Sequence, residues 1–395
     1  MVIIMKTSKL TIKLAILFYS LVQIGAICIT SILARVTELF PGYSTTTIQF
    51  LATCPSVVII FMSLLTGKLA ERIAKKYLSL FSASMFIISA LGGFLFHNSL
   101  ILLFVWQIVL GIGVGILVPI GTSLIADYFV GEERSGLMGL QSAVISIGGV
   151  LLSLLAGLLA TIDWYYNYLA LLLIIPGFVL LLFGLPSDQP LHTANSNGGR
   201  IRVTPKVVLW YGLIAFLFMM FYNVVSTNLA LHLKENGVLG SVNSGIATSV
   251  FMLSGAVAGV LFKFFQRFLG EKVIALGFFN LAAGAFLTGM ATNFTLVLIG
   301  VFIAGFSLSI IMAQVVISIA EKEQPAAVTM CIAMSMAINN LGAFLSPSFT
   351  KLTKVILHTD KAAGRYLLVG TAAIAVAIFL FIVLERAKPV SGKRH

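Results

Sequence analysis

The sequence predicts an all-α polytopic membrane protein, and three observations carry that prediction. Only 10% of the 395 residues are charged and 59% are hydrophobic, with a mean hydropathy of +1.08. A soluble domain carries about 25% charged residues, because its surface must be wetted. Apolar runs of about 20 residues recur along the whole chain, each long enough to cross the hydrocarbon layer as a helix. The bases are also sorted by side. With the N-terminus inside, 19 of the 25 lysines and arginines fall in inner segments and 6 in outer ones. That asymmetry predicts two cytoplasmic termini and a multi-pass protein of the cytoplasmic membrane. The formal charge of +12 is therefore a topology signal, not the footprint of a nucleic-acid partner.

Twelve segments follow in order. Lys6, Lys9 and Lys13 precede a first run near 12–34. A cleavable signal would have a shorter core and a small-residue cleavage site, so this run is a retained first helix. The second run, near 46–66, ends in "GKLAERIAKKYLSL", Gly67 to Leu80, whose first ten residues hold one acid and four bases. Runs three to six lie near 77–96, 99–128, 137–160 and 167–185. "PSDQPLHTANSNGGRIRVTPK", Pro186 to Lys206, then has the Pro, Gly, Ser and Asn content of a linker. Six more runs lie near 207–231, 244–265, 272–291, 294–319, 326–349 and 366–385. The bases from Lys351 to Arg365 are assigned to an outer loop, the one exception to the sorting. The chain thus divides into a six-helix lobe at 1–185, a cytoplasmic linker at 186–206 and a second six-helix lobe at 207–395. A basic joint follows the second helix of each lobe, since "KFFQRFLGEK", Lys263 to Lys272, echoes the earlier knot. Two such sets suggest a two-lobed transporter built from distant repeats.

The charge knot carries a family resemblance. It is similar to the loop 2–3 signature of the major facilitator superfamily, G-x-L-A-D-R-x-G-R-[RK]. Gly67, Leu69, Ala70, Arg72, Lys75 and Lys76 fit that pattern or keep its charge, with Glu71 in the place of Asp and Ala74 in the place of Gly. The resemblance implies the major facilitator fold and a conformational latch. Glu71 would face the N-terminus of helix 11 near Ala326, favoured by its dipole. Lys75 would bridge Glu71 to Asp127, and Arg134 would add a base nearby. Helix 5 resembles the glycine motif of the bacterial efflux branch in degenerate form: Gly139, Gly148, then Leu152-Ser153 and Ala156-Gly157, without the central Gly-Pro. Helix 11 echoes it as Gly342-x3-Ser346-Pro347. On helix 4, "QIVLG" places Gln107 where the family pattern has an arginine.

All thirteen acids map to loops or helix ends, and no Arg, Lys or His falls at a helix centre. A midplane proton relay through a carboxylate is therefore not expected. The polar groups at mid-depth are neutral: Tyr19, Gln23, Gln107, Gln141, Tyr222, Asn223, Asn228, Gln314, Asn339 and Asn340. Each alone is also explained by an interhelical hydrogen bond, worth about 0.6 kcal/mol. The resembled family lines its cavity with helices 1, 4, 7 and 10. That puts Gln23, Gln107, Tyr222, Asn223 and Gln314 forward as substrate contacts, with Asn339 and Asn340 on helix 11 beside them. Phe and Met walls suit an amphipathic or aromatic organic solute.

Cys28, Cys54 and Cys331 lie in apolar runs without metal-ligand spacing, so neither a metal site nor a disulfide framework is implied. Gly111, Gly113 and Gly115 follow no strand and do not make a nucleotide loop. No cluster of nucleophiles or acids in the interior suggests an enzyme. The expectation is a monomeric transporter without cofactor, nucleotide or nucleic-acid partner. It would move a small molecule through the lipid bilayer by rocking-lobe alternating access. Export leads, and uptake or exchange of an organic anion or other metabolite is the alternative.

Overall fold

A computed structural model describes residues 9–70, 72–185, 204–238, 240–323 and 325–386, and every regular element among them is helical. The first crossing is broken. α1 (Lys9–Ser20) stops, a 3-10 stretch follows at Gly25–Ile32, and α2 (Leu33–Leu39) completes the span. The cause is local. Gly25 and the β-branched Ile27, Ile29, Thr30 and Ile32 are weak α-helix formers. Thr30 Oγ1 and Ser31 Oγ bond back to the carbonyls of Ile27 and Cys28 at 2.6 and 2.9 Å. Asn167 Nδ2, from the sixth span, donates to Cys28 O and to Ser31 Oγ, each at 2.9 Å. In hydrocarbon a freed carbonyl needs a protein partner, and Asn167 supplies it.

The chain continues through α3 (Thr45–Leu69), α4 (Lys75–Leu95), α5 (Leu100–Tyr128) and α6 (Gly131–Leu159). A 3-10 stretch at Trp164–Ile174 then runs into α7 (Ile175–Gly184). Of the predicted linker, 186–203 lie outside the described residues. α8 (Pro205–Glu235), α9 (Ser241–Leu269), α10 (Val273–Gly289), α11 (Phe294–Lys322), α12 (Pro325–Ile356) and α13 (Ala362–Arg386) complete the order. Eleven stretches among the described residues are long and apolar enough to cross a membrane. The longest, Ser241–Gly289, has 49 residues and holds both α9 and α10. They turn at Gly270, whose φ of 54° suits glycine alone without strain.

The expected loop from Lys351 to Arg365 is corrected. α12 runs on to Ile356 and α13 begins at Ala362, so Lys351 is helical and Arg365 sits in the first turn of α13, 5% exposed. A charge ends an apolar run in the sequence, but it does not end a helix.

We call the end where α1 begins the near end and the end where α2 stops the far end. The glycine motif of α6 and its echo on α12 mark two equivalent contacts. A Cβ on Gly148 would fall 1.8 Å from the Leu21 carbonyl at the end of α1, and one on Gly342 would fall 2.2 Å from the Phe216 carbonyl of α8. Only glycine lets the backbones come so close. At the far end His97 stacks on Tyr165 at 3.9 Å beside Trp164, the kind of aromatic belt that settles at a membrane surface.

Candidate functional site

At the far end, polar contacts cross between the first half of the chain and the second. Glu38 of α2 pairs with Lys234 of α8 and also accepts from Arg35 at 2.7 Å. Deeper, Gln49 Nε2 of α3 donates to Asn228 Oδ1 of α8 at 2.5 Å, and Arg365 donates to the same oxygen at 2.7 Å. Thr350 of α12 donates to Gln49 Oε1 at 3.4 Å. Phe50 and Phe344 pack ring to ring at 5.3 Å. Between α6 and α9, Ser241 Oγ donates to Gly157 O at 3.0 Å and Ser249 Oγ to Val150 O at 3.2 Å. A Cβ on Gly157 would lie 2.8 Å from Ser241 O and 3.1 Å from Gly245 Cα, so the two backbones touch. A cavity of about 530 Å³ lies at this seam, lined by Ser31, Arg35, Glu38, Trp164, Lys234 and Ser241 among others.

At the near end, each half is tied to itself. Lys13 pairs with Glu133 at 2.6 Å and Lys75 with Asp127 at 2.5 Å, Lys75 also reaching Ser123. In the second half, Lys322 pairs with Glu271 at 2.7 Å, and Tyr211 bonds to both. Lys272 meets Glu385 at 3.6 Å. The two pairs that link helices 3–4 and 9–10 are inverted in sign. Lys75 opens α4 and Asp127 closes α5, whereas Glu271 precedes α10 and Lys322 closes α11. The Lys13 hydrogen bond holds the Glu133 carboxyl below its usual range, with the charges of Lys13 and Lys9 adding to it.

Between these ends, α6 and α9 part. The gap is a crevice of about 590 Å³ lined by Ser142, Ser146, Ile147, Leu253, Gly259 and Ser309 among others. Among the described residues that line it, none is Asp, Glu, Lys, Arg or His.

The polar residues picked from sequence are placed as follows. Gln23 is half-buried at the break after α1, and Gln107 is buried beside Tyr168 of the sixth span. Tyr222 stacks on Phe251 at 4.4 Å, and its hydroxyl has no hydrogen-bond partner among the described residues. Asn223 Nδ2 bonds back to Met219 O at 3.0 Å, and Asn340 Nδ2 to Met336 O at 2.9 Å. Gln314 Nε2 donates to Ser318 at 3.0 Å. Asn339 Oδ1 is buried without a partner among the described residues. Tyr222 and Asn223 share α8, and Asn339 and Asn340 share α12, but none of the seven lines the α6–α9 crevice. Of the latch residues, Gly67 closes α3 in open space and Arg72 is exposed. Glu71 lies outside the described residues, as does the side chain of Arg134. Sequence reasoning passed over Gln49, Arg365 and the serines of the crevice. Ser142 and Ser146 stand four apart, on one helical face, which was a readable signal.

Residues 14–264 match the Major Facilitator Superfamily. The chain belongs to that family. The Major Facilitator Superfamily is one of membrane transporters and not of enzymes, and this member is a multi-pass membrane protein. Protein TsgA of Escherichia coli O9:H4 (strain HS) is 25% identical over 211 residues, covering 50% of this chain and 51% of TsgA. The Shigella flexneri TsgA matches to the same extent. The chain spans about half the length of these curated relatives. The POT family transporter PepTSo superposes with a TM-score of 0.77 at 12% identity, over 98% of this chain and 99% of that one. A D-xylose-proton symporter gives 0.74 at 18% identity, over 94% and 96%. At such identities the likeness is one of fold.

Proposed function

We propose that the chain is a secondary or facilitative transporter that exports a small organic solute by alternating access. Its lobes would be 1–185 and 207–395, hinged by 186–206. It would have twelve crossings, α9 and α10 counting as two, and both termini in the cytoplasm. Running contacts support that count: α9 starts at the far-end seam with Gly157, and α10 starts at the near-end pair of Lys272 with Glu385. One observation carries the function. Among the described residues the halves are joined by side-chain bonds across the far end, whereas the near-end ion pairs each stay within one half, and a crevice without ionisable described lining opens between them. That is the form of a transporter closed on one side of its pathway and open on the other. With the near end cytoplasmic, it faces inward. The efflux-like glycine motif supports export. Gln23, Gln107, Tyr222, Asn223, Gln314, Asn339 and Asn340 are the proposed polar contacts as the lobes rock. Gly67, Glu71, Arg72, Lys75, Asp127 and Arg134 are the proposed latch of the opposite state.

Uptake or exchange of an organic anion is the second reading. Arg365, 5% exposed at the seam, favours it, because a guanidinium there would meet an anion as the far end opens. Glu235 and Asp360 also act on that guanidinium and offset its charge, so the first reading stands. Solute counterflow in proteoliposomes, run against drugs, organic acids, amino acids and sugars, separates the two. Flux of uncharged or amphipathic compounds is expected. Flux confined to organic anions, and lost in Arg365→Gln, would replace the first reading by the second.

A further inference from the structure

The α6–α9 crevice mixes two kinds of lining. Ile147, Leu253 and Val260 are 55, 49 and 84% exposed, and all three lie inside membrane spans. Exposed aliphatic side chains at that depth suit contact with hydrocarbon. Ser142, Ser146 and Ser309 add hydroxyls, and Ser309 comes from α11, so the crevice reaches past the α6–α9 pair to a third helix. Ser142 Oγ, Ser146 Oγ and Ser309 Oγ donate to Met138 O, Ser142 O and Gly255 O at 3.1, 3.2 and 2.6 Å, so each of these oxygens is left to accept from a ligand. Among the described residues the crevice has no Asp, Glu, Lys, Arg or His to match a charge. Its aliphatic rim is continuous with the lipid-facing surface, a setting that suits a ligand already dissolved in the bilayer.

We infer that this crevice takes a single-chain amphiphile with an uncharged polar end and admits it sideways from the membrane leaflet, between α6 and α9. The chain would lie along Ile147, Leu253 and Val260, and hydroxyls of the polar end would donate to the serine oxygens, whose own protons go to backbone carbonyls. The inference rests on the transporter reading above and narrows its substrate class.

The test uses the full chain in nanodiscs that contain a photoreactive medium-chain monoacylglycerol. Labelled peptides should come from 142–151 and 253–260, and unlabelled monoacylglycerol should displace the label while glycerol does not. Ile147→Trp with Val260→Trp narrows the flank and should lose the labelling, whereas Phe379→Trp on α13 should keep it. If the narrowed variant fails to fold, the competition on the unaltered chain decides alone. Labelling no stronger in the crevice than around Phe379, or labelling that glycerol displaces, overturns the inference. Failure of the two readings looks different. Flux of a water-soluble solute that the narrowed variant leaves intact removes sideways entry and keeps the transporter. Crevice labelling in a chain that moves no solute removes the transporter and keeps the site.

Discussion

At the far end Glu38 reaches across the molecule to Lys234, whereas at the near end Lys75 stays with Asp127 and Lys322 with Glu271, each inside its own half. The chemistry is the same and the consequence is opposite. A pair that crosses the seam stabilises one relation of the halves. A pair within a half stiffens that half and leaves the relation free. The far-end ties are also layered. An exposed ion pair sits at the rim, and a buried amide pair, Gln49 with Asn228, lies beneath it. Exposed pairs contribute about 0–1 kcal/mol, so the buried layer and the Gly157–Gly245 contact should govern closure.

The largest effect is expected where backbone meets backbone. Gly157→Leu should wedge α6 from α9, since overpacking costs about 1–3 kcal/mol. Spin labels at Tyr43 and Leu357 should then gain a longer far-end distance; an unaltered distribution would mean that the contact yields without moving the halves. Gln49→Ala comes next. It removes a cross-seam bond worth roughly 0.5–1.5 kcal/mol while Arg365 still holds Asn228. The same label pair should show a smaller shift in the same direction.

Asp127→Asn probes the other end. Because Asp127 belongs to the proposed latch of the opposite state, labels at Arg72 and Arg267 should report a near end more often open, by about 0.2–1 kcal/mol, with the Tyr43–Leu357 pair more often closed. A far end that does not follow would contradict rocking of the two halves against each other. Glu38→Gln should shift the far end by about 0.2–1 kcal/mol, and the shift should shrink at high salt because the pair is exposed. The smallest effect concerns acid. Glu133 has a lowered carboxyl value in the fold, so its contribution is present above the unfolded value and is lost as pH falls through the folded one. The part of the melting temperature that Glu133 contributes, read as the difference between the unaltered chain and Glu133→Gln, should be constant from about pH 8 to 6 and shrink below about pH 4. In Glu133→Gln the acid limb should accordingly be slightly shallower; a steeper one would contradict the pairing with Lys13.

Much of the fold was readable. Apolar runs located the spans because lipid allows few alternatives to a helix, and the Gly67–Lys76 knot named the family. The break after Ser20 was not readable as such, although Gly25 and its β-branched followers are a local cause. Arg365 was misplaced because a charge was taken as a loop. The polar residues chosen for the site were those at mid-depth, but depth does not tell which way a side chain faces. Gln107 illustrates this, since it lies beside Tyr168 and not in the α6–α9 crevice.

By itself the sequence determined the helical class, the membrane medium and the family. Hydrophobic length and charge sorting are local sums, and they need no knowledge of neighbours. Only the tertiary structure decided which ties cross the seam. Gln49 meets Asn228 and Thr350 across 179 and 301 positions of chain. Nothing along the chain distinguishes such an amide from one that bonds to its own helix, as Asn223 does. Partner choice is fixed when helices pack, because close approach at glycines such as Gly148 and Gly342 sets which faces meet.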